Sequence, residues 1–182
     1  KKGIPVIHVE AGLRSGDRTM PEEINRVLTD QISELLFTTE KSAADNLLRE
    51  GIDPDRIHFA GNVMIDTLRY NLTQAIPAMT TTSGLKKNGS RLGLTNGYGL
   101  LTLHRPANVD HPEVLQSLLS VLVDISRDIP LVFPVHPRTR QRIIDAGLEP
   151  MIASSALYMT GPLGYLEMLG MMKDARLVLT DS

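Results

Sequence analysis

Short apolar runs separated by helical patterns recur along the chain, and this alternation limits its fold more than any other feature. Apolar residues at helical spacing fill the intervals between the runs, and the longest such pattern begins at Pro112. Because alternating strands and helices are typical of parallel sheets with helical crossovers, the sequence predicts an α/β fold. The predicted strands lie at residues 4–7, 35–37, 56–60, 99–103, 131–135, 156–159 and 176–180.

The apolar periodicity fades between residues 73 and 97, where Thr, Ser, Gly and Lys cluster. Clusters of this composition are typical of a connection between folded parts. We therefore expect two α/β lobes, at residues 1–75 and 98–182, joined by a linker at residues 76–97. Since the chain starts just before a predicted strand and without Met, we expect both lobes to be incomplete.

The composition excludes several classes of protein. The 182 residues carry a net charge of -2 and are 42% hydrophobic, which is ordinary for a globular chain. This charge gives no basic field for nucleic acid or an anionic membrane, and no apolar run reaches the roughly 18 residues that span a bilayer. The absence of cysteine excludes disulfides, a thiol nucleophile and cysteine-bound zinc. We expect a cytoplasmic protein that binds neither nucleic acid nor membrane.

Polar and ionisable residues concentrate at residues 8–26, after the first predicted strand. Glu10 would stand at the end of that strand, and Glu22 at the start of the helix that follows. Ligands bind beyond the carboxyl ends of strands in open α/β sheets, and helix N-termini there favour anions. The stretch is therefore a candidate site with two carboxylates.

Each of these carboxylates also has a purely structural interpretation. Thr19 and Glu22 have the spacing of a capping box, and Glu10 could pair with Arg14. Both interpretations are compatible with a catalytic role, because a carboxylate held by the fold can still face a cleft. The two other acids of the stretch, Asp17 and Glu23, are expected to be surface or helix-dipole charges.

Helical spacing continues beyond residue 22. Apolar residues recur at Ile24, Val27 and Leu28, which predicts that the first helix continues over these residues. The next helix is expected to begin after Thr39, which would be its N-cap.

Three of the five histidines, His8, His104 and His136, directly follow predicted strands. At the carboxyl edge of a parallel sheet they could contact a ligand, although a loop histidine can also cap strand carbonyls. His58 lies within a predicted strand and His111 precedes a helix, so we expect both to be ordinary polar residues.

Two motifs in the candidate stretch point to one family. His8-Val-Glu-Ala-Gly-Leu-Arg14, followed by Pro21-Glu-Glu-Ile-Asn-Arg26, resembles the non-hydrolysing UDP-N-acetylglucosamine 2-epimerases in residue type, order and spacing. Segments 61–68, 104–110, 134–137 and 161–168 resemble further parts of that family, although Pro106 and Ala107 depart from its commoner His-Arg-Arg-Glu-Asn motif. The resemblance implies two Rossmann-like lobes of the GT-B type with parallel sheets.

The resemblance also implies an isomerase that interconverts UDP-N-acetylglucosamine and UDP-N-acetylmannosamine for cell-surface polysaccharides. In that family UDP leaves by anti elimination and adds again from the opposite face, without a cofactor or metal. Glu10 and Glu22 would do the acid and base work, and His104 would stabilise the departing diphosphate. A homodimer is expected, with UDP-N-acetylglucosamine and UDP as ligands. The substrate-binding residues would be Arg14, Arg105, His136, Leu163, Met168 and Ser182.

The same resemblance suggests a regulatory contact. In bacterial members of the family a second UDP-N-acetylglucosamine molecule activates the enzyme, and the resemblance puts Arg105 and His136 near it. Both residues follow predicted strands of the second lobe.

Other functions stay open on the sequence alone. A GT-B glycosyltransferase would use the same architecture and a nucleotide-sugar, and a metal hydrolase could use His8, Glu10, His104 and His136. The chain could also be an inactive fragment that binds nucleotide-sugar. Because it stops at Ser182, where the family's phosphate-binding glycine turn would begin, we expect little epimerase activity from the 182 residues by themselves.

Overall fold

Residues 3–87, 90–91 and 97–181 are described by the computed structural model. The chain divides between Tyr70 and Asn71 into two units. Each unit contains a parallel sheet, as the alternation of strands and helices predicts.

A three-stranded parallel sheet, in the order β1-β2-β3, forms the centre of the first unit. Its buried core consists of small and branched residues beneath the sheet, namely Ala11, Leu36, Leu47 and Ile52. The strands are β1 (Ile7–Val9), β2 (Leu35–Thr38) and β3 (Ile57–Phe59), and the helices are α1 (Pro21–Ile32), α2 (Lys41–Arg49) and α3 (Val63–Asn71). A 3₁₀ turn, Pro54–Arg56, precedes β3.

A four-stranded parallel sheet organises the second unit. Its strands are β6 (Gly99–Thr102), β7 (Leu131–Pro134), β8 (Leu157–Thr160) and β9 (Leu177–Thr180), in the order β8-β7-β6-β9. These bounds confirm the four predicted strands to within about one residue. Before the sheet come a 3₁₀ turn (Leu72–Gln74), α4 (Ala78–Thr81) and the antiparallel pair β4 (Lys86–Lys87) and β5 (Ser90–Arg91). The helices between the strands are α5 (Pro106–Val109), α6 (Pro112–Ile125), α7 (Pro137–Asp145), α8 (Glu149–Ala153) and α9 (Tyr165–Asp174).

Both faces of this sheet are covered, which explains why its strands read as continuous apolar runs. The neighbours Leu100 and Leu101 belong to different core clusters, as do Val132 and Phe133, because side chains alternate along a strand. One cluster includes Tyr98, whose hydroxyl donates to the Met171 carbonyl at 2.5 Å. Burial, with a smaller contribution from the Asp174 charge, raises the pKa of Tyr98 to about 12. Tyr98 is thus a neutral hydrogen-bond donor within the core.

The start of the segment expected to be a linker, at Ile76 and Ala78, packs against the rest of the second unit. The Ile76 amide donates to the Leu166 carbonyl at 3.0 Å, and the Ala78 amide donates to the Asp174 carboxylate at 3.0 Å. Ala78 is also buried beside Tyr98. These contacts join residues that are remote in sequence, so the composition of the segment alone could not predict them.

Three local expectations for the first unit are wrong. Strand β1 lies at Ile7–Val9 rather than at residues 4–7, so His8 is inside it, and Ile4 is 72% exposed. The N-cap of α1 is Met20 and makes no side-chain cap, while Thr19 bonds Asp17 instead. Thr39 does not cap α2, whose N-cap is Glu40.

The buried face of α1 is also not the apolar one. Ile24 and Leu28 are exposed, whereas Glu23 and Asp30 are buried. The periodicity identifies the helix correctly, but its apolar residues are not the buried ones, because loop donors surround the two acids. Those donors belong to the candidate site.

Gly12 offers a test of how closely the loop after β1 packs on α2. Its φ is +79°, and an added Cβ would lie 2.3 Å from the Ala43 carbonyl oxygen. Gly12→Ala should therefore lower the free energy of unfolding by more than about 3 kcal/mol, since strain and a backbone clash add together.

Gly51→Ala is the matched control, to be measured by urea denaturation in parallel. Gly51 has φ +81° but nothing within 4 Å of an added Cβ, so only the backbone strain remains. Its cost should be about 1–2 kcal/mol. Equal losses in the two variants would show that the contact with Ala43 is unimportant.

Candidate functional site

Glu10 directly follows β1, with its side chain exposed at the carboxyl end of the strand. Its φ of 74° is the only positive value at a non-glycine residue in the described part of the chain. The amides of Glu10 and Ala11 both donate to the Phe37 carbonyl, each at 3.0 Å, which ties the turn to β2. Since this conformation is strained for a glutamate, the surrounding contacts must hold it.

The loop around Glu10 is fastened to a carboxylate on α1. Asp30 is fully buried and accepts from His8 Nδ1 at 2.5 Å, the Gly12 amide at 3.1 Å and Arg14 Nη2 at 2.7 Å. All three donors belong to the motif that contains Glu10. The helix therefore fixes the backbone on both sides of the exposed carboxylate.

Arg14 is held inside this network. Its side chain is 9% exposed and makes two 2.7 Å hydrogen bonds to Glu50, in addition to the one to Asp30. The hydrogen bonds to Glu50, together with the Asp30 charge, raise the pKa of Arg14 although burial opposes them. The structure thus pairs Arg14 with Asp30 and Glu50 rather than with Glu10, and its assignment to substrate binding stays a prediction.

The two glutamates at the start of α1 differ in environment. Glu22 is exposed, whereas Glu23 is 6% exposed and accepts from the Ser15 amide at 2.8 Å, the Ser15 hydroxyl at 3.0 Å and the Gly16 amide at 3.2 Å. The hydrogen bond from the Ser15 amide, above all, lowers the pKa of Glu23. The surface position expected for Glu23 is therefore wrong, whereas its place in the first turn of α1 agrees with the helix-dipole alternative. Glu22 remains the glutamate whose carboxylate faces solvent.

In the second unit, Asp181 holds the residues that follow β6. Its carboxylate accepts from the amides of His104 at 3.1 Å and Arg105 at 2.9 Å, and from Asn108 Nδ2 at 3.1 Å. His104 Nδ1 lies 3.2 Å from the same carboxylate. Burial pushes the pKa of Asp181 upward, but the bonds from Asn108, Arg105 and His104 outweigh it and hold that pKa below its ordinary value. The predicted catalytic histidine is thus placed by an aspartate from the neighbouring strand.

His136 is the N-cap of α7, and its Nδ1 accepts from the Arg138 amide at 3.2 Å. Arg138 reaches back to Asp110 at 2.5 Å, which joins the start of α7 to the loop after α5. Strand β6 lies between β7 and β9, and the three strands are parallel. The segments that carry His104, His136 and Asp181 therefore all start at the carboxyl ends of neighbouring strands. The capping role and the predicted ligand contact of the exposed His136 ring are compatible.

Leu163 and Met168, the predicted contacts for a base, are partly buried against the core cluster that contains Tyr98. Between them, the Gly164 amide donates to the Glu167 carboxylate at 2.8 Å at the start of α9. Their packing accounts for both residues as core, so their contact with a base stays a prediction. The predicted ligand Ser182 lies outside the described residues.

Two clefts lie away from these residues. One, of about 280 Å³, is bordered by α8 and β8 and is lined by residues that include Arg140, Glu149 and Tyr158. The other, of about 130 Å³, lies along α1 beside Ile24 and Leu28. Neither lining includes a predicted site residue.

Among the described residues, no three His, Asp or Glu side chains form a group that could hold a metal ion. No helix within residues 3–87, 90–91 and 97–181 has the length and apolar character to cross a membrane.

Sequence reasoning missed the acids that position the site. Asp30, Glu50 and Asp181 stand 16 to 77 residues from the groups that they bind. One available signal was the spacing of Glu23 and Asp30, because seven residues place two acids on one face of α1.

Asp181→Asn should destabilise the protein in a pH-dependent way. Because the folded pKa is depressed, the ionised group stabilises the fold above about pH 4, and this contribution disappears as pH falls through the folded pKa. At pH 7 we expect a loss of about 1–3 kcal/mol in the free energy of unfolding. Urea denaturation between pH 2.5 and 7 measures it, with the exposed Asp128→Asn as control. A difference from wild type that does not change with pH would contradict the assignment.

Comparison with known proteins supplies the family. The family model for UDP-N-acetylglucosamine 2-epimerase matches residues 1–182. A UDP-N-acetylglucosamine 2-epimerase of Methanococcus maripaludis is 44% identical, and the match covers 100% of this chain and 50% of the relative. The UDP-2,3-diacetamido-2,3-dideoxy-D-glucuronate 2-epimerase of Pseudomonas aeruginosa is 40% identical, over 100% of this chain and 48% of the relative.

A solved structure agrees with these sequence matches. The Methanocaldococcus jannaschii UDP-GlcNAc 2-epimerase in complex with UDP-GlcNAc and UDP superimposes with a TM-score of 0.82 at 42% identity, covering 98% of this chain and 49% of that one. The chain thus spans about half the length of the relatives that it matches. Its two parallel sheets confirm the predicted α/β class, and together with the match over all 182 residues they show that the chain belongs to the UDP-N-acetylglucosamine 2-epimerase family.

Proposed function

We propose that the protein interconverts UDP-N-acetylglucosamine and UDP-N-acetylmannosamine. The observation that carries this proposal is the match of the whole chain to the family, with a 42% identical structure that binds UDP-GlcNAc and UDP. The fastened Glu10 loop and the Asp181-held His104 segment support it, since both place polar groups at carboxyl ends of parallel strands.

The chemistry proceeds in two halves. A carboxylate removes the C2 proton, the electron pair of that C–H bond forms the C1–C2 double bond, and the bond from C1 to the diphosphate oxygen breaks to release UDP. In the reverse half, a carboxylic acid protonates C2 on the opposite face and the diphosphate oxygen attacks C1. No electrons enter or leave overall, so the reaction needs no redox cofactor.

Glu10 and Glu22 carry the proton transfers in this proposal. Both side chains are exposed, and they stand on different elements of the first unit. Glu10 is placed by Asp30 and the Phe37 carbonyl, whereas Glu22 is placed by the first turn of α1. A general acid or base held in this way accelerates proton transfer by about 10² to 10⁴-fold.

His104 stabilises the departing diphosphate, with Arg105 beside it. Their backbone amides are engaged with Asp181, His104 Nδ1 lies 3.2 Å from the same carboxylate, and both side chains are exposed. Substrate contacts of Arg14, His136, Leu163, Met168 and Ser182 belong to the same proposal. So do a homodimeric assembly, which sedimentation would test, and a cytoplasmic location.

A second candidate substrate should be compared directly with UDP-N-acetylglucosamine. The Pseudomonas aeruginosa relative, at 40% identity, is named for a UDP-2,3-diacetamido-2,3-dideoxyglucuronate, which carries an acetamido group at C3 and a carboxylate at C6. Epimerisation at C2 is common to both relatives, so the proposed proton transfers are unchanged.

A glycosyltransferase would instead consume the nucleotide-sugar and release UDP.

The first prediction for this function is that solvent deuterium enters C2. UDP-N-acetylglucosamine incubated in D₂O should yield the 2-epimer with deuterium at C2, unchanged by EDTA, as followed by NMR. The 182-residue chain and any longer natural form that contains it should be assayed side by side, each with both candidate substrates.

Glu10→Gln and Glu22→Gln should each lower kcat by about 10² to 10⁴-fold. Glu34→Gln, an exposed acid between α1 and β2, is the control and should keep the wild-type rate. Product without deuterium, EDTA inhibition, or full activity in both glutamine variants would count against the mechanism.

The second prediction concerns activation by substrate. If Arg105 and His136 contact a second UDP-N-acetylglucosamine molecule, Arg105→Ala or His136→Ala should flatten the dependence of rate on substrate concentration and leave some turnover. Arg127→Ala is the control, since Arg127 is exposed and pairs locally with Asp124. Unchanged cooperativity in both variants would remove the assignment.

A further inference from the structure

Helix α1 presents two buried carboxylates to the loop that carries Glu10. Glu23 and Asp30 are seven residues apart, so they lie two turns apart on one face of the helix. Glu23 binds Ser15 and Gly16, and Asp30 binds donors nearer to Glu10. The inner face of α1 is thus a surface of acceptors that match loop donors.

The three donors to Asp30 bracket Glu10 in sequence. His8 lies two residues before it, Gly12 two residues after it and Arg14 four residues after it. Glu10 has no part in this network, and its side chain is exposed. The network therefore acts on the backbone that carries the carboxylate.

Backbone strain at Glu10 makes such a clamp necessary. With φ at 74°, the residue occupies a region that glutamate rarely adopts, and relaxation would turn its side chain in another direction. A displacement of about 1 Å in a reacting group can cost about 100-fold in rate.

His8 contributes through one ring nitrogen. Nδ1 lies 2.5 Å from Asp30 Oδ1, so it donates to the carboxylate, and the neutral ring then has an unprotonated Nε2. The His8 side chain is 21% exposed and Asp30 is 0% exposed. The contact with Asp30 is therefore shielded from water.

We propose that Asp30 is a positioning residue, which aims the Glu10 carboxylate through the Nδ1–H donor of His8 and the donors of Gly12 and Arg14. The proposal rests on the proposed function for the role of Glu10 in proton transfer. The contact between His8 and Asp30 can be measured without turnover, so it is tested independently.

The first experiment uses the 182-residue chain. Long-range proton–nitrogen NMR at pH 8.5 reports which ring nitrogen of each histidine carries hydrogen, and His8→Asn identifies the His8 signals by their loss. We expect His8 to be the Nδ1–H tautomer. Amide signals of residues 10–14 should move in Asp30→Asn and stay in place in Asp45→Asn, an exposed control on α2. An Nε2–H tautomer, or unmoved loop signals in Asp30→Asn, would overturn the proposal.

The second experiment is kinetic and uses a matched pair at His8. Asn keeps an N–H donor at the position of Nδ1 but has no Nε2, whereas Phe keeps the ring and has no donor. We expect kcat to fall by about 10 to 100-fold in His8→Phe and Asp30→Asn, with KM within about threefold of wild type. His8→Asn should restore kcat to within about fivefold, and Asp45→Asn should be unchanged.

Each outcome bears on the proposal. Equal losses in His8→Asn and His8→Phe would overturn it, because Nε2 would then be the group that matters. Wild-type kcat in both His8→Phe and Asp30→Asn would overturn it and leave the proposed function standing. If Asp30→Asn does not fold, as judged by circular dichroism, the His8 pair decides. If neither the 182-residue wild type nor a longer natural form that contains it turns over either substrate, the proposed function fails and the NMR result decides the positioning role.

Discussion

A carboxylate that is removed from water must find its hydrogen-bond donors within the protein, or it costs several kcal/mol. Asp30 is completely buried, and its three donors all come from β1 and the loop after it. Sliding or rotating α1 on the sheet would leave this charge without partners. The placement of the helix, the loop and the exposed Glu10 therefore follows from satisfying one buried charge.

In the second unit, too, a largely buried carboxylate receives its hydrogen bonds from a neighbouring segment, but it follows a strand rather than lying on a helix. Asp181 follows β9 and accepts the backbone donors of His104 and Arg105, which come after the adjacent strand β6. In both units an aspartate anchors the segment that carries an exposed candidate residue. Asp30 does so through one backbone amide and two side chains, and Asp181 through two backbone amides and the Asn108 side chain. Each anchored segment is thus held rigidly while the side chain of the candidate residue stays exposed to solvent. Catalysis requires preorganisation of this kind.

Local sequence patterns predicted the features of the fold that depend on neighbouring residues, namely the positions of the strands. The four strands of the second unit were placed to within about one residue, because each is a buried apolar run ended by a turn. The inner face of α1 was not predicted, since the spacing of Ile24 and Leu28 indicates a helix but not which side is buried, and the structure leaves both residues exposed. His8 and Asp30 are 22 residues apart, and neither residue type nor helical periodicity says that they meet. The motif around Glu10 predicted the candidate site, but not the groups that hold it.

The left-handed backbone at Glu10 makes the residue that is best for stability different from the residue that supplies a carboxylate. Glycine adopts such a φ with no steric penalty, whereas glutamate does so at a cost of about 1–3 kcal/mol. Selection for stability alone would thus drive this position toward glycine and erase the carboxylate. A glutamate here therefore lowers the stability of the fold. A variant stabilised by replacing Glu10 with glycine would relieve the strain but would lack the carboxylate.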